Sequence, residues 1–212
     1  ALTGPWIHLY PHVAEPAPKA DFITEARAWW SQHLCDEGET SLPAHRMYMM
    51  EDIHPDQDHR HHQGQWIAVQ GSSERSHQLY LSAKGLSIQP GEEAQISLSS
   101  PLNCGLQSGG YFSTDPAMGL PTDQNSDDAG SLVFETEVLA EDLDVIGMPT
   151  LSLPVAIDAP QGKLIARLVD VHPDGAAWRT TWGVLNLAHR KSKADPQPMT
   201  AGKVETVTIE LD

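Results

Sequence analysis

The spacing of apolar residues changes near residue 44, which predicts a short helical part followed by a long β part. Before this point, one run has helical spacing and follows Asp21, a residue type favoured at N-caps, and it predicts a helix that ends near Gly38. The apolar face of this helix would contain Phe22, Ala26, Trp29, Trp30 and His33. The opening segment LTGPWIHLYPH predicts a buried strand at Trp6–Leu9 that leads into a proline-containing loop.

From residue 44 onward, apolar residues alternate with polar ones, and glycines or prolines separate the runs. This pattern predicts short strands joined by turns. The predicted strands are 47–50, 66–69, 78–81, 95–98, 132–139, 151–157, 164–171, 178–187 and 207–211. Residues 105–130 hold five glycines and two prolines without a regular period, so they predict a long loop.

The segment Pro173-Asp174-Gly175 predicts a tight turn that joins two core strands into a hairpin. Many short strands with turn signals indicate a mainly β protein, and we predict a jelly-roll β sandwich. Trp178 and Trp182 are four residues apart and are expected on one face of a strand. The six tryptophans are expected in the core or at a domain interface, in preference to a sugar-binding surface.

Composition excludes some classes of partner. The 212-residue chain has 13 basic and 29 acidic residues and a net charge of −16, which opposes binding to nucleic acids. It has no apolar stretch as long as the ~18 residues that a membrane span needs, and its first residues do not read as a signal peptide. Cys35 and Cys104 give neither a zinc spacing nor a disulfide framework, so we predict reduced thiols and a cytoplasmic protein.

A catalytic serine cannot be assigned from sequence pattern alone. The G-x-S-x-G motif of a nucleophile elbow is absent, and Ser72 and Ser73 lack the second glycine. His8 follows Gly4-Pro5-Trp6 at a predicted strand end, where a hydrolase presents its general base. The alternative is a histidine that only caps the end of that strand.

Two further clusters contain metal-binding residue types. His59, His61 and His62 lie near Asp56 and Asp58, but the pattern favours a solvated loop, so we expect neither a specific metal site nor a cofactor. A second, acidic cluster could bind calcium but lacks the spacing of an EF-hand, so hydrogen bonds to loop backbone N–H groups are the expected role. Its members are Asp115, Asp123, Asp127 and Asp128.

Several segments in a matching order resemble one enzyme family. GPWIHLYPH followed by ADFITEARAWWSQHL resembles the end of the α/β-hydrolase domain of the cocaine esterase and X-prolyl dipeptidyl-peptidase (CocE/NonD) family. RMYMMEDIHP with QWIAV resembles the crossover into its C-terminal β domain. LPTDQNSDDAGSLVFETEVLAEDLDVIGMPTLSL and LIARLVDVHPDGAAWRTTWGVLNLAHRKS resemble the galactose-binding-like jelly roll itself.

The resemblance implies a portion of a Ser-His-Asp hydrolase that cleaves acyl esters or releases X-Pro dipeptides. It places a hydrolase tail at residues 1–43 and the β domain at 44–212, with closing strands expected beyond VETVTIELD. Only the family's catalytic histidine carries over, onto His8. The catalytic domain with the serine and aspartate is the implied partner, so the chain alone is expected to be inactive.

Two functions therefore remain open at this point. In the first, the β domain supports the catalytic domain and shapes its cleft for an ester or X-Pro peptide substrate. In the second, the chain is an independent carbohydrate- or ligand-binding module without catalysis. The G-P-W-I-H segment favours the first, because a free-standing module has no need of it. We also expect one of two consequences for the termini, which are self-association through exposed strand edges or disorder of residues 1 to about 20.

Overall fold

The computed structural model describes residues 1–35, 43–69 and 77–212, which form two compact units, 1–135 and 136–212. The helices and strands of the first unit are β1 Leu2–Thr3, α1 Phe22–Cys35, β2 His45–Met50, β3 Gly64–Val69, β4 Tyr80–Ser82, β5 Gly85–Ser87, α2 Pro116–Gly119 and α3 Asn125–Asp128. Those of the second unit are β6 Thr150–Val155, β7 Lys163–Val171, β8 Ala177–Asn186 and β9 Glu205–Glu210. The prediction of a mainly β fold is confirmed.

A small mixed sheet organises the first unit. β1 pairs with β2 in parallel, and β2 pairs with β3 in antiparallel register, with Tyr48 opposite Trp66. The rings of these two residues lie 5.3 Å apart, so the cross-strand pair packs on one face of the sheet. β4 and β5 form a separate short hairpin.

Helix α1 begins as predicted but does not bury its apolar face. The Asp21 carboxylate accepts a hydrogen bond from the Thr24 N–H at 3.1 Å and so caps the first turn. The predicted end near Gly38 lies outside the described residues. Trp29 and Trp30 are each about half exposed, at 51% and 53%, so their placement in a core was wrong. An apolar face needs a second surface to bury it, and the described residues of the first unit leave these two rings about half exposed. Their burial at a domain interface stays a prediction.

The second unit is built from two antiparallel strand pairs. β6 pairs with β9, and β7 pairs with β8. Alternating apolar positions of these strands meet in two buried clusters, one around Ala166, Ile209 and Leu211 and one around Leu187, Met199 and Val207. The period-two pattern of the sequence therefore encodes this core, whereas the jelly-roll topology stays a prediction.

The hairpin turn predicted at residues 173–175 is confirmed. His172 N–H donates to the Ala176 carbonyl at 2.9 Å and closes the β7–β8 hairpin. The Asp174 carboxylate accepts from the Ala176 N–H at 3.0 Å, and Gly175 adopts a φ of 90°. Asp174 and Gly175 thus have the roles that their types predict in a tight turn.

The predicted common face of Trp178 and Trp182 is wrong, because β8 contains a bulge. Trp178 pairs with Asp170, whereas Trp182 pairs with Arg167. These partners are three residues apart on β7, so they lie on opposite faces of the hairpin. One extra residue in β8 therefore reverses the alternation between the two tryptophans. Trp178 is buried, and the guanidinium of Arg179 lies 5.4 Å from the ring of Trp182.

Three predicted strands do not form among the described residues, which are Trp6–Leu9, 95–98 and 132–139. The first segment lies in a loop that is closed by an internal hydrogen bond, in which the backbone N–H of Ile7 donates to the Glu15 carbonyl at 2.9 Å. The true opening strand is β1, which keeps a partner in β2. Apolar residues of the other two segments are exposed, for example Ile96 at 46% and Val138 at 97%. Apolar alternation alone does not supply the neighbouring strand that a ladder requires.

None of the helices within the described ranges is long and apolar enough to cross a membrane.

Candidate functional site

His8 lies in the loop that follows β1, in contact with the long loop 105–130. Its backbone N–H donates to the Ser113 carbonyl at 3.2 Å. Its imidazole lies against the ring of Phe112, with a centroid distance of 3.7 Å and an interplanar angle of 35°. His8 is exposed, and its ring nitrogens form no hydrogen bond with any described residue. The imidazole is therefore exposed, with its ring in contact with Phe112.

The buried carboxylate of Asp127 organises the loop that contacts His8. It accepts hydrogen bonds from the Gly105 N–H at 2.8 Å and the Gln107 N–H at 3.0 Å. The amide of Gln124, which is also buried, donates to the Gln107 carbonyl at 2.9 Å. A loop with few apolar residues is thus held by polar groups that replace a hydrophobic core.

Two other members of the acidic cluster have the same role. The Asp115 carboxylate accepts from the Ala117 N–H at 3.0 Å and caps the short helix α2. The Asp123 carboxylate accepts from the Asn125 N–H at 2.8 Å. The predicted role as backbone acceptors is confirmed for these two residues and for Asp127, and for Asp128 it stays a prediction.

The histidine run supports the loop that contains His8, and its placement in a solvated loop was wrong for His62. This residue is only 2% exposed, and its backbone N–H donates to the Ala17 carbonyl at 3.1 Å. Ala17 N–H donates in turn to the Arg60 carbonyl at 2.8 Å, which ties the two segments together. The neighbours of His62 in the sequence are polar, so the local pattern did not reveal its burial.

Burial shifts the pKa of His62 in this run, and the ion pair with Arg60 shifts the pKa of Asp58. Burial first, and then the charges of His59 and His61, lower the pKa of His62 to about 4. Nδ1 of His59 lies 3.3 Å from Nε2 of His62. Hydrogen bonds from Arg60 lower the pKa of Asp58 to about 2, and these two exposed residues form an ion pair at 2.6 Å.

The remaining candidate residues are two cysteines and two serines. Cys35 and Cys104 are free thiols, and Cys104 donates to the Asp127 carbonyl at 3.3 Å. Ser72 and Ser73 lie outside the described residues. Phe112 and Ser113 could not be identified from the sequence as neighbours of His8, because they lie more than 100 residues away in a loop without periodicity.

A family model for the "X-Pro dipeptidyl-peptidase C-terminal non-catalytic domain" matches residues 37–212. The chain belongs to this family. The match begins after α1, so His8 precedes the matched region, whereas Phe112 and Ser113 lie inside it. The resemblance identified from the sequence is thereby confirmed at the level of the family, and the chain contains a domain associated with hydrolases.

Individual relatives agree with this assignment. The cocaine esterase of Rhodococcus sp. (strain MB1 Bresler) is 30% identical over 127 residues, which cover 59% of this chain and 22% of that protein. A selenomethionine-labelled α-amino acid ester hydrolase matches 99% of this chain and 39% of its own, with a TM-score of 0.70 and 21% identity. An aminopeptidase from the marine sediment archaeon Thaumarchaeota archaeon matches 99% of this chain and 38% of its own, with a TM-score of 0.64 and 16% identity. The chain therefore spans about a fifth to two fifths of these relatives, and the two structures show a shared fold.

Proposed function

We propose that this chain is the C-terminal portion of a serine hydrolase and that His8 is the general base of that enzyme. The β domain would support the catalytic domain and shape its cleft for an acyl ester or an X-Pro peptide. The observation that carries this proposal is the exposed imidazole of His8, a residue that is held by Phe112 and Ser113 and that forms no ring hydrogen bond with any described residue. A general base needs one nitrogen for the serine and the other for an orienting carboxylate.

The exposed face of α1 supports a docking role toward the rest of the enzyme. Trp29 contacts Trp30 at 4.6 Å and His33 at 4.4 Å, and Leu34 is 72% exposed. Contiguous exposed apolar surface of this kind marks an interaction site. We propose that the catalytic α/β-hydrolase domain covers this face, with residues 1–43 as the tail of that domain and 44–212 as the β domain, in a cytoplasmic enzyme.

The test is hydrolysis by the full-length enzyme that contains this chain. Substrates are p-nitrophenyl acetate and an X-Pro p-nitroanilide, which separate the esterase from the dipeptidyl-peptidase. We expect His8→Ala to lower kcat by about 100-fold to 10,000-fold, the usual contribution of a general base. His12→Ala is the matched control, because His12 is an exposed histidine of the same loop, and it should retain activity. Equal losses in both variants would contradict the role of His8, and saturable binding on a glycan array without hydrolysis would favour a binding module.

A further inference from the structure

The segment Gly110–Gly119 holds His8 from two directions, although it lies inside the region matched by the non-catalytic domain. The Ser113 carbonyl accepts the backbone N–H of His8 at 3.2 Å, which fixes the main chain at the histidine. The ring of Phe112 covers one face of the imidazole at 3.7 Å, which restricts rotation of the side chain. Backbone and side chain of His8 are thus held by adjacent residues of one segment.

Hydrogen bonds within the segment fix the position of these contacts. Asp115 N–H donates to Oγ of Ser113 at 3.0 Å, and the same hydroxyl donates to the Asp115 carbonyl at 2.9 Å. The Asp115 side chain also caps α2, so hydrogen bonds within the turn hold Ser113 in place relative to the start of α2. Gly119 at the end of α2 lies close to Ile7, since a Cβ there would be 3.1 Å from Cγ2 of Ile7. The segment Gly110–Gly119 therefore lies against both Ile7 and His8.

We propose that Phe112 is a positioning residue for His8 and sets the orientation of the imidazole before the reaction begins. This inference rests on the proposed function, in which His8 is the general base. The Phe112 ring lies against the imidazole at a tilt of 35° and leaves His8 exposed, so Phe112 restricts the histidine without burying it. An unrestrained imidazole must lose rotational freedom to reach the transition state. An imidazole that is already held in one orientation has lost this freedom beforehand, so the reaction does not carry that entropic cost. The domain described as non-catalytic thus contributes to the chemical step through Phe112.

The test compares three variants of the full-length enzyme in steady-state kinetics. Phe112→Ala removes the ring, Phe112→Tyr keeps an aromatic ring, and Met118→Ala is the matched control. Met118 lies in the same segment and its side chain has the same 68% exposure as that of Phe112. We expect Phe112→Ala to lower kcat by about 10-fold to 100-fold with KM nearly unchanged, which is the range for a small misplacement of a reacting group.

The two control variants complete the pattern. Phe112→Tyr should restore most of kcat, and Met118→Ala should match the wild-type enzyme. A Phe112→Ala enzyme with normal kcat would overturn the proposal. So would one in which only KM rises, because that result assigns Phe112 to substrate contact alone.

A second measurement tests the contact without any activity. In NMR spectra of the 212-residue chain, the ring protons of His8 should show nuclear Overhauser effects to Phe112 and a ring-current shift. Phe112→Ala should abolish both signals, and Met118→Ala should keep them. Absence of these signals in the wild-type chain overturns the positioning role even if the full-length enzyme hydrolyses its substrate. A full-length protein without hydrolytic activity refutes the proposed function instead.

Discussion

Protonation of the buried His62 should destabilise the fold in mild acid, and His62→Gln should remove this effect. The side chain is 2% exposed and its pKa is lowered to about 4 by burial and by the charges of His59 and His61. An unfolded chain leaves the same imidazole in water with a pKa of about 6.5. The unfolded state therefore binds a proton at higher pH than the folded state does, and stability falls as pH decreases between these two values.

The size of the effect follows from the two pKa values. Linkage between a folded-state pKa of about 4 and an unfolded-state pKa of about 6.5 gives a loss of about 2 kcal/mol at pH 5 and about 3 kcal/mol at pH 4, relative to neutral pH. Well above pH 6.5 the contribution of His62 is constant, because the imidazole is then neutral in both states. The glutamine variant keeps the backbone hydrogen bonds to Ala17 and from Tyr48 and has no group that titrates in this range.

The assay is urea unfolding of the wild-type chain and the variant at pH 7, 6, 5 and 4. The ion-paired Asp58 and Glu205 have pKa values lowered to about 2, mainly by hydrogen bonds from arginine, and they also lose their stabilising effect in acid. Both proteins share these carboxylates, so their contribution cancels in the difference. His77→Gln controls for the loss of one histidine at an exposed position. A parallel loss of stability in the wild-type chain and in His62→Gln from pH 7 to 4 would refute the role of the buried His62 in this pH dependence.

Four further predictions concern activity, packing and assembly. The isolated chain should hydrolyse p-nitrophenyl acetate no faster than its His8→Ala variant; a loss of activity specific to that variant would contradict this. Ile209→Ala should cost about 2–5 kcal/mol of unfolding free energy, because Ile209 is 2% exposed. Ile165→Ala, at a 56% exposed position, should cost far less, and equal costs would contradict this. Gly183→Ala should destabilise by about 1–3 kcal/mol, because a Cβ there collides with the Glu210 carbonyl; an unchanged urea midpoint refutes it. Light scattering in ~0.15 M salt should give a mass that rises with concentration, through pairing of strand edges, whereas a constant monomer mass argues against it.

Local signals in the sequence predicted the parts of the fold that depend on local chemistry. The turn at 173–175 follows from residue types that suit each turn position, and the cap of α1 follows from Asp21. Strands β6 to β9 follow from a period of two because both sheets bury one face in the same core. In these cases the residues that carry the signal also make the contacts.

Features that depend on residues distant in the sequence could not be predicted from local sequence signals. The bulge in β8 separates Trp178 from Trp182, and no residue type in that strand marks the extra position. Segment 95–98 has the composition of a strand but lacks a neighbour, so it stays unpaired among the described residues. The contact between His8 and Phe112 joins two loops, and loops carry no periodicity from which a contact can be predicted.

Labelling of the full-length enzyme with a fluorophosphonate reports on the role of His8 as general base, because this probe reacts with a serine that a histidine activates. Mass spectrometry should find one modified serine in the wild-type enzyme. The rate of labelling should fall by about 100-fold or more in His8→Ala and stay unchanged in His12→Ala. Labelling of the His8→Ala enzyme at the wild-type rate would contradict the assignment of His8 as the general base.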